Sequence, residues 1–160
     1  MKWILASGSP RRQQLLCQIT EDFSVLPSQI EERRDPSWTA QELPRQLAAQ
    51  KALDVSSRNP AALVIGADTI VSLDGTVLGK PRDEADAADM LRSLSGRTHQ
   101  VYTGVAFCRD GKVLSSFVQC TEVDFYPLTE RQIQRYLATK EPFDKAGAYG
   151  IQGKGGLFVR

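Results

Sequence analysis

Two hydroxyls, a glycine and two guanidiniums stand together in Ser7-Gly8-Ser9-Pro10-Arg11-Arg12. Ser9 followed by Pro10 has the form of an N-cap and first helical residue, so the free N–H groups of a helix start would lie beside the arginines. Backbone donors of that kind bind anions, and guanidinium pairs with phosphate oxygens in bidentate fashion. The chemistry offered is phosphate binding; the plain alternative is an ordinary cap with two solvated arginines. It is not a P-loop, because G-x-x-x-x-G-K-[ST] is absent.

Asp68 closes the apolar run Ala61–Ala67, with Thr69 beside it. A carboxylate at the end of a buried strand is expected at the rim of a sheet, where α/β proteins place ligands. There it could hold a divalent metal or take a proton from water; otherwise it is a turn aspartate. Glu31 and Glu32 could supply a second metal ligand, or form a solvated cluster with Arg33 and Arg34. Lys51 reads by default as a surface lysine on a helix. Lys80 is restrained between Gly79 and Pro81, and Lys145 opens a glycine-rich run that contains Tyr149 and Gln152. A glutamine amide offers one donor and one acceptor, as a pyrimidine edge requires. Several cations with few carboxylates suit a magnesium-bound polyphosphate, since Mg²⁺ takes one or two carboxylates plus phosphate oxygens and needs no His or Cys. The residues by themselves lead to a phosphate ligand plus metal and do not select a reaction.

The elements that must position these groups follow from periodicity. Trp3–Ala6 read as a short buried strand. A helix follows Ser9, with Leu15, Leu16 and Ile19 on its apolar side. Phe23–Leu26 read as a strand and residues 27–38 as a loop. A helix over about 40–56 carries Leu43, Leu47, Ala48 and Ala52 on one face. Ala61–Ala67 suit a strand buried on both faces, resumed by Ile70, Val71 and Leu73 after Asp68. Asp74-Gly75 is a two-residue hairpin signal before Val77-Leu78. Asp83–Ser95 are helical by pattern, with Gly96 as the stop. Val101–Cys108 and Val113–Tyr126 read as strands joined by Arg109-Asp110-Gly111. Thr129-x-x-Gln132 is a capping box before a helix to about Ala138, and Leu157–Val159 are expected to begin a strand. No internal repeat or linker interrupts the order, which implies α/β or α+β architecture in one domain.

Composition narrows the class. The 160 residues carry 20 Lys and Arg against 19 Asp and Glu, a net charge of +1, with 41% apolar residues. The values are those of a globular domain, and there is no global field for nucleic acid, so an anion must be held by local clusters. Cys17, Cys108 and Cys120 are odd in number and form no C-x-x-C pair, which argues against a disulfide framework or zinc ribbon. His99 is the sole histidine, which removes multi-histidine metal sites. No apolar stretch is long enough to span a bilayer, and the cytoplasm is the simplest address.

Four ordered blocks carry a family resemblance. They are Leu5-Ala6-Ser7-Gly8-Ser9-Pro10-Arg11-Arg12, Val64-Ile65-Gly66-Ala67-Asp68-Thr69, Leu78-Gly79-Lys80-Pro81 with Leu94-Ser95-Gly96-Arg97-Thr98-His99, and Glu141 through Gly153. The chain resembles the Maf family of nucleoside triphosphate pyrophosphatases, also called septum-formation proteins. The resemblance implies a mixed α/β fold of the Maf and inosine-triphosphatase type, with a twisted mixed sheet and two lobes around a cleft. It implies hydrolysis of a nucleoside triphosphate to monophosphate and pyrophosphate with a divalent cation, magnesium, manganese or cobalt. S-P-R-R, A-D-T and K-A-G-A-Y-G-I-Q-G are similar to the branch that prefers dTTP and UTP. By position, Ser7, Ser9, Arg11 and Arg12 match the phosphate-binding block, and Asp68 the general base that activates water. Glu32 is assigned as an assisting metal or water ligand, with Glu31 one residue away as the alternative. Lys51 and Lys80 match cleft lysines that neutralise the triphosphate, Lys145 is a further cation expected near the cleft, and Thr69 and Gln152 contribute to base selection. A homodimer is compatible with the resemblance, and neither a nucleic-acid nor a membrane partner is implied. The alternative reading is a non-enzymatic regulator of division that binds nucleotide or protein. Family members usually continue for about 30 residues past Leu157-Phe158-Val159, so residues 1–160 are expected to form a single domain without that segment.

Overall fold

The capped helices and tight turns expected from local signals all form, in a computed structural model that describes residues 1–160. In chain order the elements are β1 (Trp3–Leu5), α1 (Pro10–Cys17), β2 (Phe23–Val25), α2 (Glu42–Arg58), β3 (Leu63–Leu73), β4 (Thr76–Leu78), α3 (Glu84–Leu94), β5 (Thr98–Arg109), β6 (Lys112–Asp124) and α4 (Glu130–Leu137). Short 3₁₀ turns occupy Glu141–Asp144, Ala146–Ala148 and Lys154–Phe158. The six strands form one mixed sheet in the order β2-β1-β3-β5-β6, with β4 paired to β3. β1 lies parallel to both β2 and β3, whereas β3 and β4 are antiparallel. No helix is long and apolar enough to cross a membrane.

Local chemistry explains the boundaries. Ser9 caps α1, its hydroxyl accepting from the Arg12 N–H, and Pro10 opens the helix. Asp83 caps α3, and Gly96 follows that helix with φ of +65°, a conformation that glycine adopts without steric cost. Thr129 and Gln132 form the expected reciprocal capping box on α4. Asp74-Gly75 and Asp110-Gly111 all have positive φ, as a two-residue hairpin turn of the twist-compatible kind requires.

The chain divides into two compact units. The first comprises Met1–Asp68 and Thr103–Gln119; the second comprises Thr69–Tyr102 and Cys120–Arg160. In the first, Ile4 and Ala6, Val64, Ala106 and Cys108 pack with Ala48, Ala52 and Val55 of α2. Leu5, Leu16 and Ile65 form a smaller cluster. In the second, Leu91, Leu94, Ile133, Leu137, Tyr149 and Phe158 belong to one core. His99 lies buried there, its Nε2 2.6 Å from the Tyr149 hydroxyl and its ring edge-on to Phe125.

Three local expectations are corrected. β3, expected to be interrupted at Asp68 and resumed by Ile70, Val71 and Leu73, runs unbroken through it. Its first part pairs with β1 at Leu63, Val64 and Ile65, and its last part with β4 from Val71, so new partners carry the ladder past the carboxylate. Of the expected apolar side of α1 only Leu16 is buried; Leu15 is 53% exposed and Ile19, beyond the helix end, 76%. Leu157–Val159 do not begin a strand, because the turn begun at Lys154 continues to Phe158 and leaves only a single bridge between Phe125 and Val159.

Candidate functional site

In the first unit the short β1 delivers Ser7, buried, just ahead of the α1 N-terminus. Its Oγ accepts from the Ser9 N–H at 3.2 Å and from Arg12 Nη1 at 3.4 Å. Arg12 Nη1 also donates to the Ala67 carbonyl at 3.0 Å, which ties the helix start to β3 one residue before Asp68. Burial lowers the proton affinity of Arg12, the charge of Asp68 opposes that loss, and Arg11 adds to it. Arg11, by contrast, is exposed in the first turn of α1.

Asp68 meets α2. Lys51 Nζ donates to Asp68 Oδ1 at 2.7 Å and stands 3.3 Å from Glu32 Oε1. The side chains of Asp68 and Lys51 are 14% and 21% exposed, so the pair is partly withdrawn from water. Close approach of strand and helix makes this contact. A Cβ at Gly66 would lie 2.4 Å from the Ala48 carbonyl and 2.9 Å from Ala52 Cβ, so only glycine lets β3 lie this near α2. Glu32 is also 3.4 Å from Arg34 Nη2. Partial burial favours the protonated Glu32 carboxyl, but the charge and hydrogen bond of Lys51, with help from Arg34, outweigh it and keep the carboxyl below its ordinary value.

The residues singled out in the sequence therefore divide. Ser7, Ser9, Arg12, Glu32, Lys51 and Asp68 converge within the first unit, linked by the contacts above. Glu31 is exposed. Thr69, Lys80, Lys145 and Gln152 belong to the second unit. Thr69 follows Asp68 on β3, and Lys80 is exposed before Pro81. Lys145 donates to Asp144 at 2.8 Å and to the Glu141 carbonyl at 3.0 Å. Gln152 is exposed, in a segment where Glu141 accepts from the Lys154 and Gly155 N–H groups. Tyr149 of the glycine-rich run is a buried core residue, its hydroxyl 2.6 Å from His99 Nε2.

Sequence reasoning passed over the polar face of α2 on either side of Lys51. Gln50 and Asp54 hold the loop that bears Glu32. Their signal was available: positions 50, 51 and 54 are polar while 47, 48, 52 and 55 are apolar and buried.

No group of three or more His, Cys, Asp and Glu side chains converges. The donor set at hand is Asp68 and Glu32, two carboxylates bridged by one ammonium. An all-oxygen pair of this kind fits a hard divalent cation whose remaining ligands are phosphate oxygens and water.

Comparison with known proteins shows the family. The model of a family described as Maf-like protein matches residues 2–160. A dTTP/UTP pyrophosphatase of Bacillus cytotoxicus is 50% identical over 159 residues, covering 99% of this chain and 83% of that relative. One of Carboxydothermus hydrogenoformans is 51% identical over 160 residues, covering 99% and 86%. Among solved structures, a HAM1 protein from Coxiella burnetii superposes with a TM-score of 0.56 at 14% identity, covering 78% of this chain and 73% of that one. At that identity the likeness is one of fold.

Proposed function

Because the chain belongs to the Maf family, we propose that it is a pyrophosphatase that hydrolyses dTTP and UTP to the monophosphate and pyrophosphate. The observation that carries the reading is the Arg12, Asp68, Lys51 and Glu32 cluster, in which a carboxylate suited to receive a proton lies among cations suited to hold phosphate. Water attacks the α-phosphorus, the new P–O bond forms as the α–β bridging bond breaks, and pyrophosphate leaves with the bridging oxygen. Asp68 accepts the proton of the attacking water. Lys51 holds the Asp68 carboxylate in place and balances charge gathering on the phosphoryl oxygens. Arg11 and Arg12 bind phosphate oxygens, with Ser7 and Ser9 orienting Arg12 and the α1 N-terminus. A divalent cation held by Asp68 and Glu32 would supply a Lewis acid for the phosphoryl oxygens.

On the motif match alone, Lys80 and Lys145 contribute charge toward the triphosphate, and Thr69 and Gln152 toward the pyrimidine. The test is direct. Purified protein with Mg²⁺ or Mn²⁺ is given dTTP, UTP, dCTP, CTP, GTP and ATP, and pyrophosphate and monophosphate are quantified. Preferential release from dTTP and UTP is expected; no release from either overturns the proposal.

A further inference from the structure

Glu31 and Glu32 are adjacent and chemically equivalent, and no strand or helix surrounds them, since residues 26–38 contain only turns and irregular backbone. Within that stretch Arg34 Nη2 lies 3.4 Å from Glu32 and the Ser28 hydroxyl accepts from the Ile30 N–H at 3.3 Å, but neither contact ties the loop to α2. The bonds that do so come from Gln50 and Asp54. Gln50 Oε1 accepts from the Arg33 N–H at 2.9 Å, and Gln50 Nε2 donates to the Arg33 carbonyl at 2.8 Å. One side-chain amide thus takes up both backbone groups of a single residue, as a neighbouring strand would, and satisfies polar groups that have no ladder. Earlier in the loop, Asp54 Oδ2 accepts from the Ser28 hydroxyl at 2.8 Å and from the Gln29 N–H at 3.4 Å. Asp54 is itself braced by Arg58 Nη2 at 2.9 Å.

Gln50 and Asp54 are four residues apart on α2 and so lie on one side of the helix. Glu32 falls between the two clamped stretches, and Lys51, next to Gln50, meets it at 3.3 Å.

We propose that Gln50 and Asp54 are positioning residues that set the register of the 28–33 loop and so place Glu32, rather than Glu31, against Lys51 and Asp68. This rests on the reading of Glu32 as part of the hydrolytic site. Apart from the part-buried Ser28–Asp54 bond the clamps are exposed, and a single hydrogen bond contributes only about 1 kcal/mol to global stability. Their consequence is geometric: without them the loop samples other registers, and the carboxylate is present but misplaced.

A double-mutant cycle separates positioning from mere loop stability. The kcat and KM for dTTP hydrolysis are measured for the full chain as wild type, Gln50→Ala, Asp54→Ala, Glu32→Gln and each clamp variant combined with Glu32→Gln, with thermal unfolding recorded for each. The expected result is a loss in kcat of about 10-fold for each clamp variant, with KM and unfolding temperature near wild type. In the Glu32→Gln background the same substitutions change kcat by less than about 2-fold, because the group they place is already gone. Equal losses in both backgrounds, or clamp variants with wild-type kcat, overturn the proposal while leaving Glu32 in the site. A Glu32→Gln protein with wild-type kcat overturns the reading of Glu32, and this inference with it. Should Gln50→Ala not fold, Gln50→Glu, which keeps the acceptor for the Arg33 N–H and loses the donor, carries the same comparison.

Discussion

Lys51 joins Asp68 and Glu32 through one ammonium at 2.7 and 3.3 Å. Two carboxylates this close would repel each other without a cation between them. In the proposed mechanism the same ammonium keeps Asp68 in place while it balances charge gathering on the phosphoryl oxygens. In the same proposed mechanism Asp68 is the group whose loss removes the proton acceptor. Asp68→Asn keeps the shape and the hydrogen bond acceptor but is far less basic. The expected outcome is a kcat lower by about 10²- to 10⁴-fold, with KM for dTTP changed by far less, measured by pyrophosphate release under saturating and limiting substrate.

The elements act through how near they approach one another. Small residues line the α2 face, with Ala48 and Ala52 fully buried, and glycines face them. At Gly66 a Cβ would meet the Ala48 carbonyl at 2.4 Å, and at Gly104 another would meet the Pro44 carbonyl at 2.3 Å. Backbone cannot yield as a flexible side chain does, so a methyl group there forces helix and strand apart. Gly66 is two residues before Asp68, and Ala48 is one turn from Lys51, so the displacement falls on the Asp68–Lys51 contact. Gly66→Ala is expected to destabilise the fold by about 1–3 kcal/mol, the usual range for overpacking. It should also lower kcat in whatever fraction stays folded at 25 °C. Urea unfolding followed by activity at a temperature well below the transition measures both.

At the scale of the molecule, the chain passes between its two compact units three times, within β3, β5 and β6, so neither unit is a single stretch of sequence. The second unit keeps its only histidine neutral. Burial pushes the His99 pKa down to about 4, with Asp124 opposing; Nδ1 has no hydrogen-bond partner. An unfolded chain would take up a proton near the ordinary value of 6.5. Between those values the unfolded state binds more protons than the folded one, so stability falls as pH drops from 6.5 toward 4 and is unaffected above that window. At pH 5 the loss is about 2 kcal/mol. Denaturant unfolding at pH 7 and pH 5 is expected to show it. His99→Phe, which preserves the ring packing against Phe125, should abolish most of the difference.

What could be read along the chain was local. The Ser9 and Thr129 caps, the Gly96 stop and the two Asp-Gly turns depend on backbone conformations and hydrogen bonds within a few residues. The Ser-Pro-Arg-Arg and Ala-Asp-Thr blocks also carried the family, because their residue types and order are themselves the signal. The tertiary structure decided whatever depends on a distant neighbour. Asp68 reads as an interruption between an apolar run and its resumption at Ile70, yet β1 and β4 supply partners on either side and one strand runs through it. Lys51 reads as a surface lysine because its helix cannot reveal that Asp68 and Glu32 face it. Glu31 and Glu32 are indistinguishable in sequence, and Glu32 meets Lys51 where a side chain of α2, 17 residues downstream, bonds the backbone beside it. Caps and turns are set by steric and hydrogen-bond rules over a few bonds; the choice of partner for a charge is set by which elements pack, and no short stretch of sequence contains that.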